Sequence, residues 1–232
     1  MPAKFYFEEK GLNVRSFALL SIAALLLASV PTTASASDDA AEFWLNPSVA
    51  VGLDDDTGLE LETAQRFRSA ADGRPDTFFY RLWLNQDVGD GLTLSGAVEQ
   101  RINTGEDDET RTMQQVSLSK GVLRGRLRLE QRFVDNADRM GLRLRARLGV
   151  KVPLDKAGKW SLGADAEPFF TLRSTSVGGD EGLTGLRTQV GLGYEISDNL
   201  LVSVGYLRQQ DIRRGAPDRV GHAPIIGIEL SF

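Results

Sequence analysis

From Phe43 onward, apolar and polar residues alternate with a period of two, and the alternation is broken by short clusters rich in glycine, aspartate, asparagine and proline. Successive side chains of a strand point to opposite faces, so this period predicts strands with one apolar and one polar face. Eleven segments fit: Phe43–Leu53, Leu59–Arg68, Thr77–Gln86, Leu92–Arg101, Thr112–Ser119, Val122–Phe133, Arg139–Val152, Trp160–Leu172, Leu186–Ile196, Leu200–Arg208 and Gly221–Phe232. No segment carries a helical period. The sharpest pattern is the hairpin of the sixth and seventh segments. Leu123, Leu127, Leu129 and Phe133 alternate with Arg124, Arg126, Arg128, Glu130 and Arg132; Leu142, Leu144, Leu148 and Val150 alternate with Arg143, Arg145, Arg147 and Lys151.

An all-β meander of this kind is either a soluble barrel or sandwich with its polar face in water, or a membrane barrel with its apolar face in lipid. Several features favour the second. Loops alternate in length: Ser69–Asp76, Asn103–Thr110, Ser174–Gly182 and Asp211–Val220 are long, whereas Asp87–Gly91, Lys120–Gly121 and Ser197–Asn199 are short. Short periplasmic turns and longer external loops are the outer-membrane arrangement. On the apolar face, Phe67, Phe78, Tyr80, Phe133, Phe170 and Tyr206 fall near the long-loop ends, and Trp160, Tyr194 and Phe232 near the short-turn ends. Two aromatic girdles suit a lipid-facing wall, because amphipathic rings settle at headgroup depth. The last strand places Ile228, Leu230 and Phe232 on one face and stops on phenylalanine. That ending resembles the signal by which outer-membrane barrels are handed to the barrel-assembly machinery.

The first 36 residues read as a cleaved secretory signal peptide. Lys4, Lys10 and Arg15 precede the apolar run Phe17–Val30, and Ala34-Ser35-Ala36 supplies small residues for cleavage. The run is too short for a membrane-spanning helix. The expected mature domain is 37–232. The net charge of the whole chain is −5, with 27 basic and 32 acidic residues, and its acidity excludes nucleic acid as an expected partner. There is no cysteine, so neither a disulfide nor a thiolate metal site is expected. The expected fold is a single transmembrane antiparallel up-and-down β-barrel of ten to twelve strands in the outer membrane of a Gram-negative envelope. Bacterial barrels have even strand counts. A bend at Pro47 would divide Phe43–Leu53 and make twelve, the preferred number.

Trp44-Leu45-Asn46, Arg124-x-Arg126-x-Arg128-x-Glu130, Arg143-x-Arg145-x-Arg147, Glu167-Pro168-Phe169, Arg187 with Gly193-Tyr194, and Gly205-Tyr206 together resemble the uncharacterised outer-membrane family catalogued as domain of unknown function 2490. The resemblance spans nearly the whole mature chain. It implies a barrel and a place in the envelope, but no chemistry.

With the apolar face in lipid, Arg124, Arg126, Arg128, Glu130, Arg132, Arg143, Arg145, Arg147, Lys151, Asp165, Glu167 and Arg187 line the lumen. Charges withdrawn from water must be paired or wet, so a structural salt-bridge network with Asp165 and Glu167 as partners is the first expectation. A narrow anion-selective porin for acidic small solutes is the alternative, since a ladder of guanidiniums in a low-dielectric channel attracts anions. A monomer without cofactor or metal is expected. An outer-membrane enzyme is disfavoured. The lone histidine, His222, falls on the apolar face beside Ala223 and Pro224, which suits an interfacial anchor better than a general base. The acidic run Glu106–Glu109 reads as a solvated loop.

Overall fold

The computed structural model describes residues 38–68 and 75–232. The expected signal peptide and most of the loop after Arg68 lie outside these residues. All eleven predicted strands form. They are β1 (Asp38–Gly52), β2 (Thr57–Arg68), β3 (Thr77–Gly89), β4 (Leu92–Asn103), β5 (Glu109–Lys120), β6 (Leu123–Val134), β7 (Gly141–Pro153), β8 (Trp160–Arg173), β9 (Gly182–Ser197), β10 (Leu200–Asp211) and β11 (Arg219–Ser231). Consecutive strands pair antiparallel, and the sheet closes into a barrel through a parallel β1–β11 ladder from Asp38↔Arg219 to Ala50↔Ser231.

The strand count is therefore eleven, within the expected range, and not the preferred twelve. Pro47 does not split β1. It removes one donor, and pairing to β2 lapses at Asn46 and Pro47, but the register resumes unshifted from Leu45↔Gln65 to Ser48↔Glu62, while the ladder to β11 runs on through Pro47↔Ile228. Pro168 interrupts the β7–β8 ladder and Pro224 the β1–β11 ladder in the same one-sided way. Parallel closure permits an odd count, and it sets Asp38 at the opposite end of the barrel from Ser231.

The connections 53–56, 90–91, 121–122, 154–159 and 198–199 share one end and those at 69–76, 104–108, 135–140, 174–181 and 212–218 the other; the first end holds the three two-residue turns and the second both eight-residue loops, while 154–159 is as long as 135–140. The β3–β4 turn needs left-handed backbone at Gly89, Asp90 and Gly91, and a Cβ on Gly91 would lie 2.0 Å from the Ser119 carbonyl oxygen. In the β1–β2 turn, Asp54 Oδ1 accepts the backbone N–H groups of Asp56 (3.0 Å) and Thr57 (2.7 Å).

The outward face is apolar and bare, with Leu148 62%, Val98 56% and Val204 54% exposed. At the long-loop rim, Phe67 lies 6.1 Å from Phe43 and 5.9 Å from Phe78 between ring centroids; at the other rim, Trp160 and Tyr194 are 4.5 Å apart. The interior reverses this polarity. Its apolar parts are two small clusters, Trp44 with Leu207, Ala223 and Ile225, and Trp83 with Ala97 and Met113. Much of the remaining wall of β2 to β9 carries charged side chains, among them Arg81, Glu99, Arg111, Glu130, Arg145 and Glu167.

Gly163, Gly191 and Gly205 stand in register across β8, β9 and β10 and face inward. A Cβ on Gly205 would lie 2.6 Å from the Val190 carbonyl oxygen and 3.0 Å from Gly191 Cα, so close backbone approach requires glycine there. Gly205→Ala should lower the stability of the refolded protein by about 1–3 kcal/mol, read from its urea midpoint. Gly96→Ala, whose Cβ meets nothing nearer than 4.0 Å, should change it by less than about 0.5 kcal/mol.

Candidate functional site

The β6–β7 register sets Arg126 opposite Arg147 and Arg128 opposite Arg145, like charges face to face on the lumen side. Such pairs are unfavourable unless carboxylates intervene. Glu130, opposite Arg143, supplies one: it accepts Arg143 Nε (2.9 Å) and Nη2 (2.5 Å) and Arg145 Nη1 (2.9 Å). Glu167 on β8 supplies the next, accepting Arg145 Nη2 (2.6 Å) and Arg126 Nη2. Asp165 takes Arg147 (2.5 Å). Arg145 is thus shared between two carboxylates and joins β6 to β8.

A second set of contacts runs through β2 to β5. Arg81 Nη1 donates to Glu62 (2.6 Å), and its Nε donates to Glu99 (2.8 Å). Glu99 also accepts Arg101 Nη2 (2.9 Å) and lies 3.4 Å from Arg111. Arg111 donates to Glu109 (2.7 and 2.5 Å), which also takes Arg132 (2.6 Å). A 3.9 Å approach of Arg111 to Glu130 joins the two sets. Glu99, Glu130 and Glu167 are at most 1% exposed.

Four aromatic rings face the same interior and carry guanidiniums on their faces. Arg145 lies 4.4 Å from the Phe169 centroid, Arg128 4.7 Å from Trp83, Arg81 4.6 Å from Phe79 and Arg66 4.0 Å from Trp44. A planar guanidinium stacked on a ring keeps its in-plane N–H donors free for oxygen.

Two cavities share no lining residue. One, of about 350 Å³, lies at the long-loop end among Arg66, Arg101, Arg132, Arg143 and Arg187. The other, of about 380 Å³, lies at the short-turn end, where the inward glycines leave space beside Arg126, Arg147, Lys151 and Asp165. Between them stand Glu130, Glu167, Glu99 and the side chains they hold. These buried ion pairs form a band, here called the septum, along the wall between the two cups.

The structure brings Arg126, Arg128, Glu130, Arg132, Arg143, Arg145, Asp165, Glu167 and Arg187 into or beside the network. Arg187 approaches Glu167 only to 3.9 Å and donates Nε to Gln209 (2.9 Å). Arg124 instead turns to the carbonyls of Gly121 (2.6 Å) and Leu123 (2.7 Å), and Lys151 lines the short-turn cup. Ile228, Leu230 and Phe232 lie at the short-turn end, and Phe232 is 71% exposed. His222 is on the outward face, hydrogen-bonded through Nδ1 to Tyr206. Among the described residues no group of three or more histidines and acids is arranged to hold a metal.

Two parts of the site escape the sequence reading. Glu109 is not in a solvated loop: it opens β5 inside the barrel, 3% exposed and clamped by Arg111 and Arg132. The inward rings Trp44, Phe79, Trp83 and Phe169 also pass unnoticed, although each shares a parity with charged neighbours, as Phe79 and Trp83 do with Arg81.

No curated protein matches the chain. Residues 41–220 match the family described as "Protein of unknown function (DUF2490)", with the short motifs of the arginine strands inside the matched span. That span covers most of the chain, from near the start of β1 through β10 and into the first two residues of β11, and the chain belongs to this family.

Proposed function

We propose that this chain is an exported outer-membrane barrel whose lumen is closed by its own ion pairs, a structural barrel presenting an arginine-lined cup at its long-loop end. The observation that carries the reading is the septum. Glu99, Glu130 and Glu167 are almost without solvent contact, and each holds two or more arginines between the cups.

The membrane part rests on the outward face. Leucines and valines around the wall stay bare, where a soluble protein would cover a continuous apolar surface of this extent. A strand of twelve residues is about 40 Å long and, tilted by about 40°, rises about 30 Å, the depth of a hydrocarbon core. The aromatics at the two rims and the longer loops gathered at one end agree with this placement. Lipid is then the outer partner, and the barrel-assembly machinery its route. No reaction is assigned to the barrel. A narrow anion-selective porin is the second reading, favoured by the arginine surplus of the long-loop cup; it requires the septum to part.

Fractionation should find the mature protein in the outer membrane as a heat-modifiable, detergent-requiring monomer, and recovery as a soluble periplasmic species would remove the membrane reading. In planar bilayers the folded barrel should show no steady conductance steps. Anion-selective steps that weaken when Arg143, Arg145 and Arg147 are replaced by glutamine would replace the closed lumen with the porin. Removing Glu130 strands the buried Arg143 and leaves Arg145 only Glu167, so Glu130→Gln should cost about 3 kcal/mol or more in urea unfolding. Asp165→Asn, which frees the more exposed Arg147, should cost about 1 kcal/mol or less.

A further inference from the structure

The arginines of the long-loop cup are not equally neutralised. Arg101, Arg111, Arg132, Arg143 and Arg145 each have a carboxylate oxygen within 2.9 Å. Arg66 has none. Its guanidinium carbon lies over Trp44, 4.0 Å from the ring centroid and 5.1 Å from that of Phe79, and its Nε is buried without a hydrogen-bond partner. The charges acting on it most strongly are those of Arg101, Arg187 and Arg68, all of its own sign. Arg187 is nearly as bare. It lies 4.9 Å from the same Trp44 ring, and its nearest acid is the 3.9 Å approach to Glu167.

Trp44 is a fixed platform for both. Its Nε1–H donates to Glu42 (2.6 Å), and the ring is 1% exposed against Leu207, Ala223 and Ile225. Two guanidiniums held on one buried indole beside an open cavity, Arg66 with its Nε unpartnered and Arg187 bonded to the neutral Gln209, carry positive charge without a close carboxylate among the described residues. Such an arrangement is costly when empty and favourable around an anion. A single carboxylate has two oxygens and one charge. A phosphate or sulfate group has three or more oxygens around a small centre and up to two charges, and can take N–H donors from both forks together. The cavity, about 350 Å³, is larger than a bare ion needs and matches the lower end of small-molecule sites, which leaves room for what the group is attached to.

We infer that Arg66 and Arg187, presented on Trp44 in the long-loop cup, form a binding site for a phosphate- or sulfate-class oxyanion. Arg101 and Arg68 add to the attractive field from the same cup, while Glu99 and Glu42 hold their guanidiniums in place. The anion completes a part of the lumen where, among the described residues, neighbouring guanidiniums lack a close carboxylate. The inference rests on the closed-lumen reading only in that the anion is held rather than passed. Conductance tests the closed lumen and titration tests the site, so the two failures are distinguishable.

The test uses the full mature chain folded in an uncharged detergent, titrated with inorganic phosphate, sodium sulfate and, at matched ionic strength, sodium chloride. Binding is followed by calorimetry and by the shift in urea midpoint. Phosphate or sulfate should raise the midpoint and chloride should not. Arg66→Gln and Arg187→Gln should each weaken phosphate binding by about tenfold or more, Arg66→Lys by less, and Arg147→Gln in the other cup by less than about twofold. Without added anion, Arg66→Gln should be at least as stable as the parent, because it removes an unneutralised charge. A purely structural Arg66 would make the same variant less stable, and that result overturns the site. Phosphatidic acid in mixed micelles separates the sources. Binding of inorganic phosphate assigns the site to a soluble anion, and binding of phosphatidic acid alone assigns it to a lipid headgroup. Binding of neither, or equal effects of chloride and phosphate, overturns it.

Discussion

The interior of this barrel depends on a few carboxylates that each hold several guanidiniums. Glu130 and Glu167 are both bound by Arg145, and Glu99 gathers Arg81, Arg101 and Arg111 from three different strands. Facing arginines across β6 and β7 would otherwise repel one another in a poorly hydrated space. Each carboxylate turns two or three unfavourable neighbours into one favourable group, and so fixes which rotamers the arginines adopt. The wall supplies the hydrogen-bond ladder, while these acids determine the shape of the space inside it. The aromatic rings extend this control, since a guanidinium lying on Trp83 or Phe169 has lost its freedom to swing into the lumen.

The charged network does not go all the way round. On β10, β11 and β1 the middle of the inward face is small or apolar, with Leu207, Ala223, Ile225 and Trp44 packed together, and polar groups such as Glu42, Gln209 and Glu229 stand on either side of it. Near the short-turn end the glycine row of β8 to β10 leaves the space that the acids and arginines would otherwise fill. The polar half of the barrel is held by directional bonds, and the apolar half by contact. Their meeting place is Trp44, which packs with Leu207, Ala223 and Ile225 and also carries the guanidiniums of Arg66 and Arg187 over its ring.

Much of this was legible in the chain, because a period of two is an unusually direct signal. The parity of Leu127 against Arg128, or of Leu144 against Arg145, assigns each residue to a face without knowledge of the partners, and eleven strands followed from it. The parity of strand closure did not follow. Whether the first and last strands run parallel or antiparallel leaves no mark in the local pattern, and Pro47 was a misleading clue, since a missing donor interrupts one ladder and spares the other. Glu109 was hidden for a different reason: at the end of a run of acids it looks like loop, and only its parity with Arg111 and Met113 shows that it points inward. Nor could alternation distinguish a paired arginine from an unpaired one, because that difference lies between strands remote in sequence.

The parallel seam has a kinetic consequence. Every other ladder joins strands adjacent in the chain and can begin as a local hairpin, but β1 and β11 come from opposite ends of the described chain. Their pairing has the highest sequence separation of any in the barrel, so closure has to be the late event of folding. Until it happens, β1 and β11 are two open edges, each with its unpaired backbone groups available to any other strand. The step that completes this barrel is also the one during which it is most exposed to the wrong partner.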